Sequence, residues 1–373
     1  MVPIRHEHLW FAGGDIILST NTYLFKVHKD VLSLQSSVFR DMFELDEDEY
    51  IGRRARMGQE LYEGLPLVAL AGDKGEDVAH LLRAAYYREY YDRDDDQTSL
   101  ETIAALLALS SKYDFEHIRN DVIKQISRNY PNSLTTFDEI DLEDYSPRVQ
   151  LFGTPRGDCD FRLLEVSYTA DADVLLPPLY YACCDFGVDW IFERAGRMKG
   201  DCVRTLIKGK FKLEHALCTL VASLADEFRS ISCSSCKRKA YISCSQDISI
   251  DSHLSYYEGS KLVLKVLKNG CSRCSKNLEG RINEKRMEIW EKIPSYFGFS
   301  RWELESMDER DDMISLAATP PQRPQEEQMR PPLCDPPSCR RMYSMPSKIV
   351  PGPVVLWNQP IYTRYPLLQS HSL

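Results

Sequence analysis

The chain has 373 residues, enough for two ordinary domains and a tail, and its 43% hydrophobic and 27% charged residues are the mix of a globular protein. A net charge of −10 weighs against nucleic acid as a partner, since phosphate binding begins with a basic surface. The start, MVPIRHEHLWFAGGD, lacks the apolar core of a secretory signal, and no stretch supplies the roughly 20 clean apolar residues of a membrane span.

Three regions separate by composition. In the first, residues 1–133, GDIILSTNTYLFKV alternates apolar and polar residues on either side of a Ser-Thr-Asn-Thr turn, which predicts a β-hairpin. Spacing then becomes helical from His28 to Phe43. Residues 44–66 carry charge and glycine without a clean period and read as a surface loop, and LVAL (67–70) reads as a short buried strand. Three helices follow. Val78, Leu81, Leu82 and Ala85 share a face of the first, a capping box of Thr98 and Glu101 opens the second, and the third packs through Phe115, Ile118, Val122 and Ile126 until Pro131 ends it. A small sheet followed by short helices is an α+β domain.

The second region, residues 134–305, shows helical stretches and almost no alternation, so a mostly α-helical domain is expected. The third, residues 306–373, holds 12 of the 20 prolines and reads as a disordered Pro-rich tail. Its Pro321-Gln-Arg-Pro324 has the minimal spacing of a proline-rich ligand, which such a tail contains by chance.

His28 is the residue that first invites a chemical reading. A nucleophile–base arrangement wants a serine or cysteine within reach, and Ser36 lies two helical turns on, but among apolar positions with no strained glycine turn to expose it. No second metal ligand stands three or four residues away. His28 therefore reads as scaffolding: a half-buried histidine at a helix start.

Asp15-Ile16-Ile17, then Phe25-Lys26-Val27-His28-Lys29, Leu32, Ser36, Phe39 and Met42-Phe43 resemble the opening of a BTB/POZ domain. LPLVALAGDKGEDVAHLLRAAYYREYY and IAALLALSSKYDFEHIRNDVIKQI resemble its later parts in the same order, so that the likeness covers residues 9–131. The resemblance implies a BTB/POZ-like N-terminal domain, a protein-interaction module without catalysis. It also implies a homodimer through the N-terminal segment and first helix, here Leu9, Trp10 and Phe11 with Val31, Leu32 and Leu34, and a pair of charges near the groove, Asp15 and Lys29. Some members are adaptors of cullin-type ubiquitin ligases through a hydrophobic–x–Glu motif; Leu45-x-Glu47 stands at that place. The long insertion and the second region, with LPPLYYACC (176–184) followed much later by IWEKIPSYFGFSRWEL (289–304), are similar to uncharacterised BTB proteins of mushroom-forming fungi, which names a lineage and no function.

Twelve cysteines without a secretory signal point to a reducing compartment, the cytosol or nucleus, where thiols stay free or bind metal. Cys233-Ser-Ser-Cys236 and Cys271-Ser-Arg-Cys274 form the best chemical constellation in the chain. Two residues between cysteines let both thiolates reach one metal from a tight turn, and two such turns complete a tetrahedral zinc site, structural because four thiolates close it. The intervening stretch exceeds the usual spacing, and Cys244 and His253 inside it can substitute for a ligand. Three readings stay open: structural zinc, free thiols, and a redox pair, the last wanting a strand–helix setting that neither pair shows. Cys183-Cys184, in an aromatic segment, read as small buried hydrophobes. The acidic runs Asp46–Glu49 and Asp92–Asp96 lack the glycine and spacing of a calcium loop.

The expectation is an interaction scaffold with protein partners and no enzymatic activity, with a cullin adaptor or a transcriptional regulator using the lysines around Cys233–Cys274 as the alternatives.

Overall fold

The computed structural model describes residues 2–51, 60–144, 150–239, 253–266 and 270–302, without the side chains of 45–51, 141–144, 238–239 and 265–266. The proline-rich tail, with Pro321 and Pro324, lies outside the described residues.

The chain opens with an edge strand that periodicity alone does not reveal, β1 (Ile4–Trp10). It pairs in parallel with β3 (Tyr23–Val27), which is antiparallel to β2 (Ile16–Ser19) in the expected hairpin, Ile16 opposite Val27. His6 causes the irregularity in β1: its ring Nδ1 accepts the main-chain N–H of both His8 and Leu9, so the strand buckles and its register shifts. A short β4 (Leu61–Tyr62) turns through Glu63 and Gly64, both at positive φ, into β5 (Leu65–Ala69), which runs parallel to β2. The sheet order is β1-β3-β2-β5-β4.

The helical run from His28 is two helices rather than one, α1 (Lys29–Gln35) and α2 (Ser37–Ile51). Ser36 breaks them apart. Its extended backbone ends α1, while its hydroxyl accepts the Phe39 N–H at 3.0 Å and donates to the Tyr113 carbonyl. Helix α2 continues through 44–51, where charge and missing periodicity suggest a loop; no glycine or proline interrupts it before Gly52.

Helices α3 (Gly75–Tyr86), α4 (Leu100–Lys112) and α5 (Glu116–Asn129) complete this region. The cap of α4 is Ser99, whose hydroxyl accepts the Thr102 N–H, one position later than the Thr98–Glu101 box. The second region is helical as expected, apart from a two-stranded ladder of β6 (Gln150–Leu151) and β7 (Thr154–Pro155). Its helices are α6 (Leu134–Asp144), α7 (Arg156–Thr169), α8 (Leu176–Cys183), α9 (Val188–Arg194), the 32-residue α10 (Gly200–Ile231), α11 (Ser234–Lys239), α12 (Gly259–Val266) and the 25-residue α13 (Ser272–Tyr296).

One hydrophobic cluster runs from Leu9 to Phe297 through both regions. α10 and α13 pack along each other, close enough at Gly209 that an added Cβ would strike the Phe297 ring. Ties near the junction are specific: Trp290 Nε1 donates to the Asn132 carbonyl at 2.8 Å, and one guanidinium nitrogen of Arg286, Nη2, donates to both carboxylate oxygens of Asp138 at 2.7 and 2.9 Å. No helix among the described residues is long and apolar enough to cross a membrane.

Candidate functional site

Among the described residues, the sequence singles out two places: the first helix with the N-terminal strand, and the four-cysteine cluster.

His28 is half-buried, as the scaffolding reading expects. Its main-chain N–H donates to the Tyr86 hydroxyl at 2.8 Å, and its ring packs against Phe11, which stacks in turn on Tyr86. Its ring Nδ1 lies 3.4 Å from the same Tyr86 hydroxyl, while Ser36 is buried and occupied as a cap.

The residues singled out for a dimer face divide. Leu9 and Leu32 are completely buried in the protomer's own core, because β1 and α1 turn them onto the sheet. Trp10 lies half-buried against Arg5 and Tyr62, and Phe11 is engaged with His28 and Tyr86. Val31 is half-buried, whereas Leu34 is 86% exposed on a helix whose opposite side holds Leu32. Asp15 and Lys29 meet through the main chain: Asp15 Oδ1 accepts the Lys29 backbone N–H at 2.9 Å, closing the free start of α1, while the Lys29 ammonium lies 5.7 Å from the Phe43 ring centre. The side chains of Leu45 and Glu47 lie outside the described residues.

The cysteine pairs converge. The sulfurs of Cys233, Cys236, Cys271 and Cys274 all lie within 4.8 Å of one another, although 34 residues separate the two pairs in the chain. Helices α10 and α13 bring them together, Cys233 following the end of α10 and Cys271 capping the start of α13. The two turns answer each other: the Cys233 N–H donates to Cys274 Sγ and the Cys271 N–H to Cys236 Sγ, both at 3.3 Å. Cys233 and Cys271 are exposed, Cys236 and Cys274 buried.

Main-chain N–H groups aimed at sulfur favour thiolate. The Cys236 N–H bonded to Cys233 holds that thiol down, to about 6, and the Cys274 N–H does the same in direction for Cys271. Cys236 is pulled down by the Cys271 N–H, but burial and hydrogen bonds with the three neighbouring thiols outweigh this and push it up to about 11. Cys274 moves up too, where the Cys233 N–H is outweighed by the Cys271 thiol and burial. Tetrahedral zinc with sulfurs at about 2.3 Å needs sulfur separations of about 3.8 Å, which falls within the 4.8 Å that bounds this cluster. The donor set fits a metal.

His253 is not part of it. Its ring packs among Phe137, Tyr181 and Tyr256, with Nδ1 bonded to Ser255 at 2.7 Å, which corrects its role as a reserve ligand; Cys244 lies outside the described residues. Cys183 and Cys184 are wholly buried, and burial drives both thiols up, as suits small hydrophobes. Of the acidic runs, Asp94 and Asp96 pair with Arg128; the side chains of Asp46–Glu49 lie outside the described residues.

A site that pattern reading misses is the junction itself. The Tyr130 hydroxyl donates to Asp160, which also lies 3.8 Å from Arg156 Nε, all three buried. Burial pushes the Asp160 carboxyl up to about 6, against the pull of Arg156 and Tyr130. Nothing in local spacing announces a partner 30 residues away.

The N-terminal residues match one known family. The model of the BTB/POZ domain covers residues 13–130, about a third of the chain. The N-terminal region is therefore a BTB/POZ domain with a small mixed sheet and helices, a fold that mediates protein–protein contacts including dimerisation and is generally non-catalytic, followed by a mostly helical region. Comparison with the curated proteins found no match.

Proposed function

We propose that this chain is a non-catalytic scaffold that self-associates through the first helix of its BTB/POZ domain and presents the helical region to further protein partners. The observation that carries this is Leu34: a leucine 86% exposed beside half-buried Val31, on a short helix anchored from behind by Leu32. Covering such a side chain is worth about 1.5–3 kcal/mol, and a two-fold contact counts it twice. Trp10 and Phe11 border the interface in this reading, while Leu9 and Leu32 support it from inside. The working compartment is the cytosol or nucleus, and the likeness to BTB proteins of mushroom-forming fungi is carried along as a proposal of lineage.

The test is co-precipitation of two differently tagged full-length copies from one cell. Retention with the native sequence and loss with Leu34→Asp supports the scaffold; equal retention by both removes α1 from the interface.

The second half of the reading is a structural zinc held by Cys233, Cys236, Cys271 and Cys274. Four thiolates leave no open position, so the metal supplies a cross-link between the α10–α11 turn and the start of α13. Support comes from sulfurs gathered within 4.8 Å by two turns that bond to each other's sulfurs. Metal content of the purified full chain by mass spectrometry tests it, with about one zinc per chain expected. The cullin-adaptor and DNA-regulator alternatives have no specific observation in their favour.

A further inference from the structure

We propose that the four-cysteine cluster is a peroxide-responsive clamp, in which a hydroperoxide oxidises one Cys-x-x-Cys pair to a disulfide and the zinc is released. The inference rests on the zinc reading above and adds to it how the site is lost and regained.

Exposure is divided unevenly within each pair. Cys233 and Cys271 face solvent, while Cys236 and Cys274, three residues later, are 3% and 2% exposed. A solvent-facing thiolate beside a shielded second thiol is the arrangement of an attacking and a resolving cysteine. Two of the four cluster residues, Cys233 and Cys271, are thus exposed at the surface, where a solvent-borne oxidant can reach the site. The first cysteine of each pair is followed by helix, and residues three apart on a helical turn bring their Cβ atoms to about 5–6 Å, within a small adjustment of disulfide geometry. Each pair opens a helix, although among the described residues neither follows a strand as in the strand–helix redox setting. Other described cysteines contrast with the cluster: Cys159, Cys183, Cys184 and Cys202 are all fully buried. Cys218 on α10 is partly exposed but belongs to no cluster.

The chemistry balances with one peroxide. The Cys233 thiolate attacks the O–O bond of hydrogen peroxide, the sulfur becomes a sulfenic acid, and hydroxide leaves. The Cys236 thiolate then attacks that sulfur, the S–S bond forms, and a second hydroxide leaves. Two protons from solvent convert both hydroxides to water, so two thiolates are oxidised by two electrons and one peroxide is reduced. Cys271 and Cys274 can react in the same way in place of the first pair. Only two sulfurs then remain for the metal, which departs as the unchanged divalent ion.

The clamp stands at one end of the α10–α13 pair, and α13 carries the Arg286 and Trp290 contacts that reach Asp138 and Asn132 beside the BTB/POZ domain. Releasing the metal frees the start of that helix and the turn it was fastened to.

The test uses the full-length chain, purified with thiols reduced and then freed of reductant. Zinc content is measured first. Hydrogen peroxide is added in steps while a chromogenic chelator reads released zinc and differential alkylation with mass spectrometry maps the thiols. The expected result is release of the bound zinc with loss of two free thiols per metal, a Cys233–Cys236 or Cys271–Cys274 disulfide, and recovery on adding a dithiol and zinc. Cys218→Ser, outside the cluster, releases zinc at the unaltered rate. Zinc retained while Cys218 or other thiols oxidise overturns the peroxide proposal and leaves the structural metal standing. A folded chain that holds no zinc overturns the metal reading, and the clamp with it.

Discussion

The hydroxyl of Tyr130 donates a hydrogen bond to the carboxylate of Asp160, and the two residues are 1% and 0% exposed. Tyr130 is the last residue of the stretch that matches the BTB/POZ domain, and Asp160 lies on α7 of the helical region. A polar contact buried between the two is a fastening: the interaction domain is held to the helical region by a bond that water cannot replace.

Removing the hydroxyl should loosen that fastening. Tyr130→Phe leaves a buried carboxylate short of a donor, for an expected loss of about 1.5–3 kcal/mol. Urea unfolding of the full chain checks it; a midpoint unchanged from the native protein would mean that Arg156 alone satisfies Asp160.

Acid should have an unusual effect at the same place. Burial raises the folded-state value of Asp160 to about 6, above the usual carboxylate value of 3.8, so the folded protein takes up this proton before the unfolded chain does. Its contribution therefore improves as pH falls from about 7 to about 4, by up to about 3 kcal/mol for a shift of about two units. Asp160→Asn should lack that part of the pH dependence. Parallel stability-against-pH curves for the two proteins would contradict the assignment.

Much of the fold is legible in the sequence because local periodicity records which face is buried: the β2–β3 hairpin, β5 and α3 to α5 stand where apolar spacing puts them. What escaped was decided by side chains acting on the backbone. Ser36 splits one apparent helix into two, and His6 bends a strand that shows no alternation. The cysteine spacing does announce a cluster, since ligand pairs keep their Cys-x-x-Cys signature whatever lies between them. Burial of Leu9 and Leu32 was not legible. An apolar residue looks the same in the sequence whether it faces its own core or a partner.

His6 gives β1 a sensitivity of the opposite sign. Burial, with Arg83 nearby, holds the imidazole below its usual 6.5, and Nδ1 must stay unprotonated to accept the His8 and Leu9 N–H groups. Stability from this contact is present above about 6.5 and is lost as pH falls below the unfolded value. Hydrogen exchange at the Leu9 amide, corrected for its intrinsic pH dependence, should speed up between about pH 7.5 and about pH 5.5. In His6→Asn, whose amide oxygen can accept without titrating, the corrected rate should stay flat; a native rate as flat would rule out the titration.

Self-association through α1 is the claim on which the functional account depends, and the solution mass of the full-length chain tests it most directly. The full chain is the right object, since a cut at residue 133 would strip Tyr130 of Asp160. Light scattering over a roughly hundredfold dilution should give twice the chain mass for the native protein and the mass of one chain for Leu34→Asp, with the fold of each unchanged. A native protein that stays a monomer at every concentration would contradict the account, and Val31 and Leu34 would then be surface awaiting a different partner.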